Sequence, residues 1–331
     1  MPLSLPSRAH AALAIALLAA PALRAQSDLP REGRWTLDLC SERRECERDG
    51  EAYLQLTIDR GGRRNGGWNW NSGQRIALDR LRGITGAQMN SDSGVPVRFE
   101  LPRDAGTLRF EGYMRRGLGS GHFTWAVNPS LASELQRRGL EHADESEAFE
   151  LTVHDVGFAF LDELTRQQYA RPTLDELVQL GRHGVSLDYV RALDRLGYRV
   201  GDVGTLRQLR DHGVTPSYIE GMRQAGFRNL SAEELRIARD HGVTPEVVAE
   251  FEALGFKSLE LDEVRRLVDH GVRPDYVRAM RRVGFTDLST DDLRRARDHG
   301  VTASFARSAR ERRPSASIDE VIRMRDRGWE P

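Results

Sequence analysis

Apolar residues in the C-terminal half of the chain lie three to four positions apart, and this pattern returns every 29 residues. Such spacing places apolar side chains on one face of a helix. The tripeptide His-Gly-Val marks each return, and its histidines are His183, His212, His241, His270 and His299. A fixed period of this length is typical of a solenoid, in which one small unit stacks on copies of itself.

Each 29-residue unit predicts two short helices, which we call helix A and helix B. Helix A begins at a capping box such as Ser231 with Glu234, and it ends at His-Gly-Val, where the glycine takes a left-handed conformation. Helix B begins at pairs such as Thr215-Pro216, with proline at the first helical position. It ends at a glycine followed by an aromatic residue, and these glycines are Gly197, Gly226, Gly255 and Gly284. Helices this short are unstable alone in water, so the units must stabilise one another by stacking.

The solenoid is predicted to span residues 151–331 and to contain five helical-hairpin units. Its columns extend upstream to His154 and Phe160, so we expect it to open on a helix B that has no helix A before it. Near the other end, Arg313-Pro314 replaces the pair of glycine and aromatic residue. This change indicates a polar capping unit that closes the stack against solvent.

Residues 26–150 follow a different pattern, in which apolar and polar residues alternate over short runs at 34–39, 52–58, 97–101, 107–112 and 122–127. Period two, with intervening Gly, Asn and Asp, predicts an antiparallel β-rich domain. A short helix is expected at 130–138, and an acidic loop at 141–147 leads to the repeats. The fold class is therefore predicted to be α+β and multidomain, with the β-rich domain followed by the α-solenoid.

The first 25 residues predict a secretory signal peptide, because Arg8 precedes an apolar run at 11–20 and small residues follow that run. The run is too short to span a bilayer, and no later segment approaches the ~20 apolar residues that a membrane helix needs. We therefore expect a periplasmic or secreted protein. Cys40 and Cys46 are the only cysteines, and in an exported protein a disulfide between them is favoured over two free thiols.

The charge balance limits the class of partner. The chain has 49 Lys and Arg residues against 50 Asp and Glu residues. A near-neutral balance argues against nucleic acid or an anionic membrane as the main partner. A protein or peptide partner is expected instead, and no motif in the chain implies a cofactor.

The repeated histidines raise the hypothesis of a metal site, but their spacing opposes it. Packed helices lie about 8–10 Å apart, whereas zinc needs ligand atoms at about 2 Å. The chain also contains no His-Glu-x-x-His, which is the common zinc-peptidase motif. We therefore predict no metal, and we expect each histidine to cap the last carbonyls of its helix A.

Charged residues recur at the end of helix A as well. An aspartate such as Asp240 precedes the histidine, at a helix end where a lone carboxylate is unfavourable. An arginine four residues earlier lies within ion-pair reach, and we also expect the aspartate to bond a donor in the adjoining unit, which makes a ladder between repeats. Alternatively, the arginines form a stripe that faces an acidic ligand. They are Arg207, Arg236, Arg265 and Arg294.

Trp68 and Trp70 alternate along a predicted strand and so share one of its faces. Paired indoles stack on sugars or peptides in some proteins, but packing on the core is the more common role. No G-x-S-x-G motif for a catalytic serine is present. The glycine-rich stretch 117–121 lacks the Lys and Ser or Thr of a phosphate loop and is interpreted as a turn.

The repeat pattern D-H-G-V-T-P, followed by G-F and S-x-[ED]-[ED]-L, resembles helical repeats in two groups of bacterial proteins. One group is the C-terminal regions of some membrane sensors of the beta-lactam-sensor metallopeptidase family, and the other is uncharacterised exported proteins. The resemblance covers residues 153–329. The segment 97–112 also resembles the sheet module that precedes such repeats in some of the exported proteins, which implies a bacterial envelope protein. The zinc motif and membrane helices of the sensor family are missing, so peptidase activity is not implied.

These patterns together favour an exported, non-catalytic interaction protein whose solenoid surface binds a protein or peptide. Positions 191, 220, 249, 278 and 307 read Arg, Glu, Ala, Arg and Arg, while neighbouring columns stay apolar. Variable exposed positions on a constant core are typical of binding solenoids. One alternative is carbohydrate or cell-wall binding by the β-rich domain through Trp68 and Trp70. A second is an enzyme with an unrecognised site in that domain.

Overall fold

A computed structural model describes residues 32–39, 50–60 and 68–330 of the chain. The predicted signal peptide at residues 1–25 lies outside the described residues, and so do Cys40 and Cys46. No helix in the described ranges is long and apolar enough to cross a membrane.

Within the described ranges, six strands form one antiparallel sheet, which confirms the β-rich N-terminal part. The strands are β1 (Glu32–Leu39), β2 (Glu51–Arg60), β3 (Trp68–Ala77), β4 (Val95–Pro102), β5 (Gly106–Arg115) and β6 (Leu118–Val127). Their order in the sheet is β3-β2-β1-β6-β5-β4. A short 3-10 helix at Leu78–Arg80 and helix α1 (Gly86–Met89) connect β3 to β4. Alternation along β2 buries Leu54 and Leu56 and leaves Tyr53 and Gln55 exposed on the other face.

The core of the sheet is built around Trp35. Its ring lies 5.2 Å from the ring of Phe99 and 5.9 Å from that of Phe110, and its indole N–H donates to the carbonyl of Glu111 at 3.1 Å. Gly119 of β6 lies against the same indole, because a Cβ there would come within 2.8 Å of the ring. The core therefore requires glycine at that point of the strand.

The stretch 117–121, interpreted as a turn from the sequence, is mostly strand. Only Arg116 and Gly117, with φ of 48° and 78°, form the tight turn between β5 and β6. The other glycines lie in β6, where Gly121 packs so closely on the backbone of Glu111 that a side chain has no room. Glycines in this run serve close packing as well as turning.

Helix α2 (Leu131–Arg137) follows the sheet, as predicted, and thirteen further helices form two layers. The A layer contains α3 (Glu145–Val153), α5 (Leu174–Arg182), α7 (Val203–Asp211), α9 (Ala232–Asp240), α11 (Leu261–Asp269), α13 (Thr290–Asp298) and α15 (Ile318–Asp326). The B layer contains α4 (Phe158–Arg166), α6 (Leu187–Arg195), α8 (Pro216–Gln224), α10 (Pro245–Ala253), α12 (Pro274–Arg282) and α14 (Ala303–Arg312). The α+β fold class with helical repeats is therefore confirmed.

The helix ends follow the capping chemistry of the sequence. The Ser231 hydroxyl accepts from the backbone N–H of Glu234, whose carboxylate accepts from the N–H of Ser231. At the end of α5, Gly184 has φ of 71° and the N–H of Val185 donates to the carbonyl of Leu180 at 2.9 Å. The glycines that close helix B are also left-handed, with φ of 80° at Gly197, 99° at Gly226, 88° at Gly255 and 92° at Gly284.

The expectation that the solenoid opens on a helix B without its helix A is wrong. Helix α3 occupies the helix A position, with a capping box between Asp144 and Glu147 and with His154 at its C-cap. It covers part of the expected acidic loop and crosses the expected boundary between residues 150 and 151. Residues 148–153 are all buried, because the sheet covers one side of α3 and α5 packs on another. The described chain therefore contains six hairpins, not five, followed by α15.

The C-terminal end departs from the repeat as the sequence indicates. Helix α14 ends at Arg312, and its C-cap residue Arg313 is extended with φ of −136°. Helix α15 then packs on α13 and α14. Trp329 follows it and makes an edge contact with Phe305 at 5.2 Å.

Candidate binding surface

Hydrogen bonds between histidine and aspartate join successive units along one edge of the solenoid. In each bond, Nδ1 of the histidine lies 2.5–2.7 Å from a carboxylate oxygen of the next unit. The pairs are His183 with Asp211, His212 with Asp240, His241 with Asp269, His270 with Asp298, and His299 with Asp326. The expected ladder between repeats is confirmed. The partners of the aspartates are the repeated histidines of the preceding units.

The histidine side chains do not cap their own helices, which corrects the sequence-based expectation. The last carbonyls of α5 are already satisfied by backbone N–H groups, including those of Gly184 and Val185. The imidazole of His183 is therefore available to Asp211 of the next unit. Within the described ranges, no three His, Cys, Asp or Glu side chains are grouped to hold a metal ion.

Three of the four arginines in the predicted stripe pair with carboxylates of their own helix. Arg236 pairs with Glu233 and Asp240 at 2.6 and 3.0 Å, Arg265 pairs with Asp262 and Asp269 at 3.1 and 3.4 Å, and Arg294 pairs with Asp291 at 2.7 Å. Arg207, the fourth, has no ion pair among the described residues. An acidic ligand on this face would have to compete with these pairs, so the A layer is poorly suited to that role.

Tyrosines of the B helices make a second set of bonds between units. The hydroxyls of Tyr189, Tyr218 and Tyr276 each donate at 2.9 Å to a carbonyl of the next unit, those of Val214, Val243 and Val301. Arginines of the next unit lie over the same rings, at 5.1 Å for Arg239 above Tyr218. Burial raises the pKa of Tyr218 and Tyr276 to about 12. These contacts join three pairs of successive units.

A further arginine position lies at the far end of the B helices. Here an arginine covers the aromatic ring that follows helix B of the preceding unit and donates to a carbonyl beside that ring. Arg223 lies 5.5 Å from the Tyr198 ring and donates to Leu196, Arg281 lies 5.7 Å from Phe256 and donates to Leu254, and Arg310 lies 3.9 Å from Phe285 and donates to Gly284. We call this position, held by Arg223, Arg281 and Arg310, the arginine seat.

Small side chains leave a groove between α8 and α10 on the B layer. Gly221, Ala225 and Ala249 line it together with Glu246 and Glu252. Its volume is about 570 Å³. The helices approach closely beside it, because a Cβ at Gly221 would come within 2.6 Å of the Pro245 ring. We call this feature the α8/α10 groove.

Trp70 joins the sheet to the first repeat. Its half-buried ring lies 5.0 Å from the ring of Phe149 in α3, and its indole N–H donates to Glu150 at 3.1 Å. Glu150 also accepts from Arg182 at 2.8 Å and lies 3.2 Å from His154. Burial alone raises the pKa of Glu150, but the bonds from His154 and Arg182 outweigh it and lower the pKa to about 2. The side chain of Trp68 lies outside the described part of the structure.

The turn between β4 and β5 contacts two helix ends of the first repeat. Arg103, only 6% exposed, donates to the carbonyls of Thr152 and Val153 at the C-terminus of α3. Asp104 accepts from the N–H of Phe158 at the N-terminus of α4 at 2.7 Å. Each charge lies at the helix end whose dipole favours it. The sheet therefore caps the first unit in place of a preceding repeat, which the sequence reading missed.

The uncovered face of the sheet gives no support to the enzyme alternative. His122 faces Glu111 in the β5–β6 register. Glu111 pairs with Arg98 at 3.2 Å, and both of these side chains are more than half exposed. Arg98 and Glu111 line a shallow groove of about 670 Å³, but Glu111 is held by Arg98, and no ion pair joins it to His122 among the described residues.

Comparison with known proteins does not assign the chain to a family. No protein-family model matches it, and no curated protein matches it.

Proposed function

We propose that the protein is an exported, non-catalytic interaction protein and that the solenoid binds a protein or peptide partner. The observation that carries this proposal is the contrast between the core and the outer B surface. The core column Leu193, Met222, Phe251 and Met280 is buried in every unit. The outer positions 191, 220, 249 and 307 are exposed and change their chemistry from unit to unit.

The B layer is the better candidate for the binding surface. Arg236, Arg265 and Arg294 of the A layer are engaged by carboxylates of their own helices, so an acidic ligand gains little from them. The B layer contains the α8/α10 groove, with small residues and two glutamates along it. Solenoids present binding surfaces of this extended kind.

A cross-linking experiment tests the proposal. A photo-reactive residue replaces Ala249 in the B layer of the full chain, and a matched variant carries it at exposed Gln208 of the A layer. We expect one defined cross-linked product from position 249 and none from position 208. Equal, diffuse labelling at both positions would contradict a dedicated B surface.

Export is part of the proposal and has its own test. A cleaved signal peptide gives a mature N-terminus near Gln26, and an oxidising compartment favours a disulfide between Cys40 and Cys46. Mass spectrometry of protein isolated from cells measures both. An intact Met1, or two free thiols in envelope protein, would argue against export.

Carbohydrate binding is the weaker candidate. In the described structure, the indole N–H of Trp70 is bonded to Glu150 and its ring packs against Phe149. The ring therefore serves the junction between the sheet and the first repeat, which leaves less of it for a sugar.

A further inference from the structure

An arginine of the chain itself is present at four of the five steps between successive described B helices. At three steps the arginine seat is occupied by Arg223, Arg281 and Arg310. At the α4/α6 step the equivalent residue is Asp194. Arg166 of the preceding unit pairs with it at 2.6 Å, and Arg199 of its own unit pairs with it at 2.5 Å. Each of these steps thus has a guanidinium.

At the α8/α10 step the seat position holds a carboxylate instead of an arginine. Glu252 stands 29 residues after Arg223 and 29 before Arg281, so it is the seat residue of this step. Gln224 stands where Arg166 does at the α4/α6 step, and Lys257 stands where Arg199 does but makes no ion pair among the described residues. Glu252 is exposed and has no ion pair among the described residues. The carbonyl of Ala225, equivalent to that of Leu196, likewise receives no side-chain hydrogen bond in the described part of the chain.

We propose that the seat at the α8/α10 step binds the arginine side chain of a peptide partner. The guanidinium covers the Phe227 ring, donates to the carbonyl of Ala225 and pairs with Glu252. The ring contact and the carbonyl bond are those made by Arg223, Arg281 and Arg310. The ion pair is equivalent to that of Arg166 with Asp194 at the α4/α6 step. The inference rests on the proposed peptide-binding function and names the ligand chemistry of the α8/α10 groove.

The electrostatics of the groove favour a cation at this end. Ala225 is the C-cap of α8, where the helix dipole is negative, and Glu252 adds a full negative charge. Arg239 lies at the other end of the groove, over the Tyr218 ring near the start of α8. A planar guanidinium stacks on a ring and bonds a carboxylate through two N–H groups, so arginine suits the seat better than lysine does.

The test measures binding of a small probe to the full-length protein. The probe is N-acetyl-arginine amide, and N-acetyl-citrulline amide is its uncharged isostere. Alanine methyl groups are labelled for NMR, so that Ala225 and Ala249 report from the groove. We expect saturable shifts with the arginine probe and binding weaker by about tenfold or more with citrulline, because the charge-assisted bonds to Glu252 are lost.

Three variants distinguish binding at the seat from a general effect of surface charge. Glu252→Arg restores the repeat pattern and fills the seat from within, so it is expected to fold and to lose the arginine-induced shifts. Glu252→Gln removes the charge at nearly constant size and is expected to weaken the arginine probe by about tenfold. Glu311→Arg makes the same charge change as Glu252→Arg at an exposed position of α14, outside the groove lining, and should keep the binding.

Several outcomes would overturn the seat. These are equal binding of citrulline and arginine, unchanged binding in Glu252→Arg, or no saturable shift with either probe. The two proposals can fail separately. If the arginine probe does not bind, but a photo-reactive residue at position 249 still cross-links to one partner both with Glu252 and with Glu252→Arg, the arginine site is refuted and the proposed partner-binding function stands. Saturable arginine binding without a B-layer cross-link supports the seat and contradicts the wider function.

Discussion

Glu150 is the buried charge that ties the sheet to the solenoid, and replacing it with Gln tests this junction. The substitution keeps an acceptor for the Trp70 indole but removes the ion pair with Arg182 and the hydrogen bond of the carboxylate with His154. A pKa of about 2 instead of the ordinary 4.5 corresponds to at most about 3 kcal/mol of stability at neutral pH. Arg182 is 46% exposed, and solvent screening reduces the expected cost to about 2 kcal/mol.

The pH dependence gives the prediction its sign. The pKa of Glu150 is lowered in the folded protein, so the unfolded chain binds more protons in the window between pH 4.5 and about 2. The contribution of Glu150 is therefore fully present above pH 4.5 and is lost as the pH falls towards 2. Urea unfolding of the native chain and of Glu150→Gln, measured at pH 7, 5 and 3, reports the difference directly.

We expect the gap in unfolding free energy between the two proteins to be largest at pH 7 and to shrink steadily below pH 4.5. Glu141→Gln is the matched control, because Glu141 is an exposed carboxylate shortly before the same helix. That control should track the native chain at every pH. A gap for Glu150→Gln that stays constant from pH 7 to 3 would refute the ion-pair argument.

Two further substitutions test the junction and the repeats. Trp70→Ala should lower the free energy of unfolding by about 2 kcal/mol, less than the about 3–5 kcal/mol expected for a fully buried ring, because the indole is half-buried. An unchanged melting temperature would contradict its packing on Phe149. Gly255→Val should cost about 1 kcal/mol or more through its φ of 88° alone, since a Cβ there has open space. Arg307→Ala, at an exposed outer position, is its control, and unaltered protease resistance in Gly255→Val would count against the left-handed cap.

Arg278 stands at one of the variable outer positions of the sequence, but its replacement is not a suitable control for stability. Its guanidinium lies 2.6 Å from Glu250 of the preceding unit and 2.6 Å from Asp275. Glu250 raises the pKa of Arg278, with a smaller contribution from Asp275. Arg278 therefore joins two units, and its removal is expected to affect the stack.

The sequence predicted the repeat well because each of its signals is local. A capping box, a glycine after the last turn and a proline at the first turn each act within one helix end, so Ser231 and Gly255 could be placed without knowing the fold. The ladder was predicted because Asp240 lies at the C-terminal end of a helix, where a lone carboxylate is unfavourable and needs a hydrogen-bond donor. Its partner was missed, since His212 comes from the preceding unit.

The junction could not be predicted in the same way. Helix α3 has no amphipathic stripe, because the sheet and the next helix bury it on all sides. The capping box of Asp144 and Glu147 was the only local indication of this helix. Because the residues around it are acidic, the segment was predicted to be a loop. Arg103 and Asp104 meet the helix ends across about 50 residues of chain, and nothing in their local sequence indicates that contact.

The ladder of histidine and aspartate has a consequence for the length of the solenoid. Its first four pairs each join residues 28 apart, and the last joins residues 27 apart. Removing any 29-residue segment from the middle of the array brings a histidine and an aspartate of matching position back together, whereas any other length shifts the columns out of register. The number of units can therefore change in whole steps while the sheet still packs on the first unit and α15 on the last hairpin, and the length of the proposed binding surface changes with it.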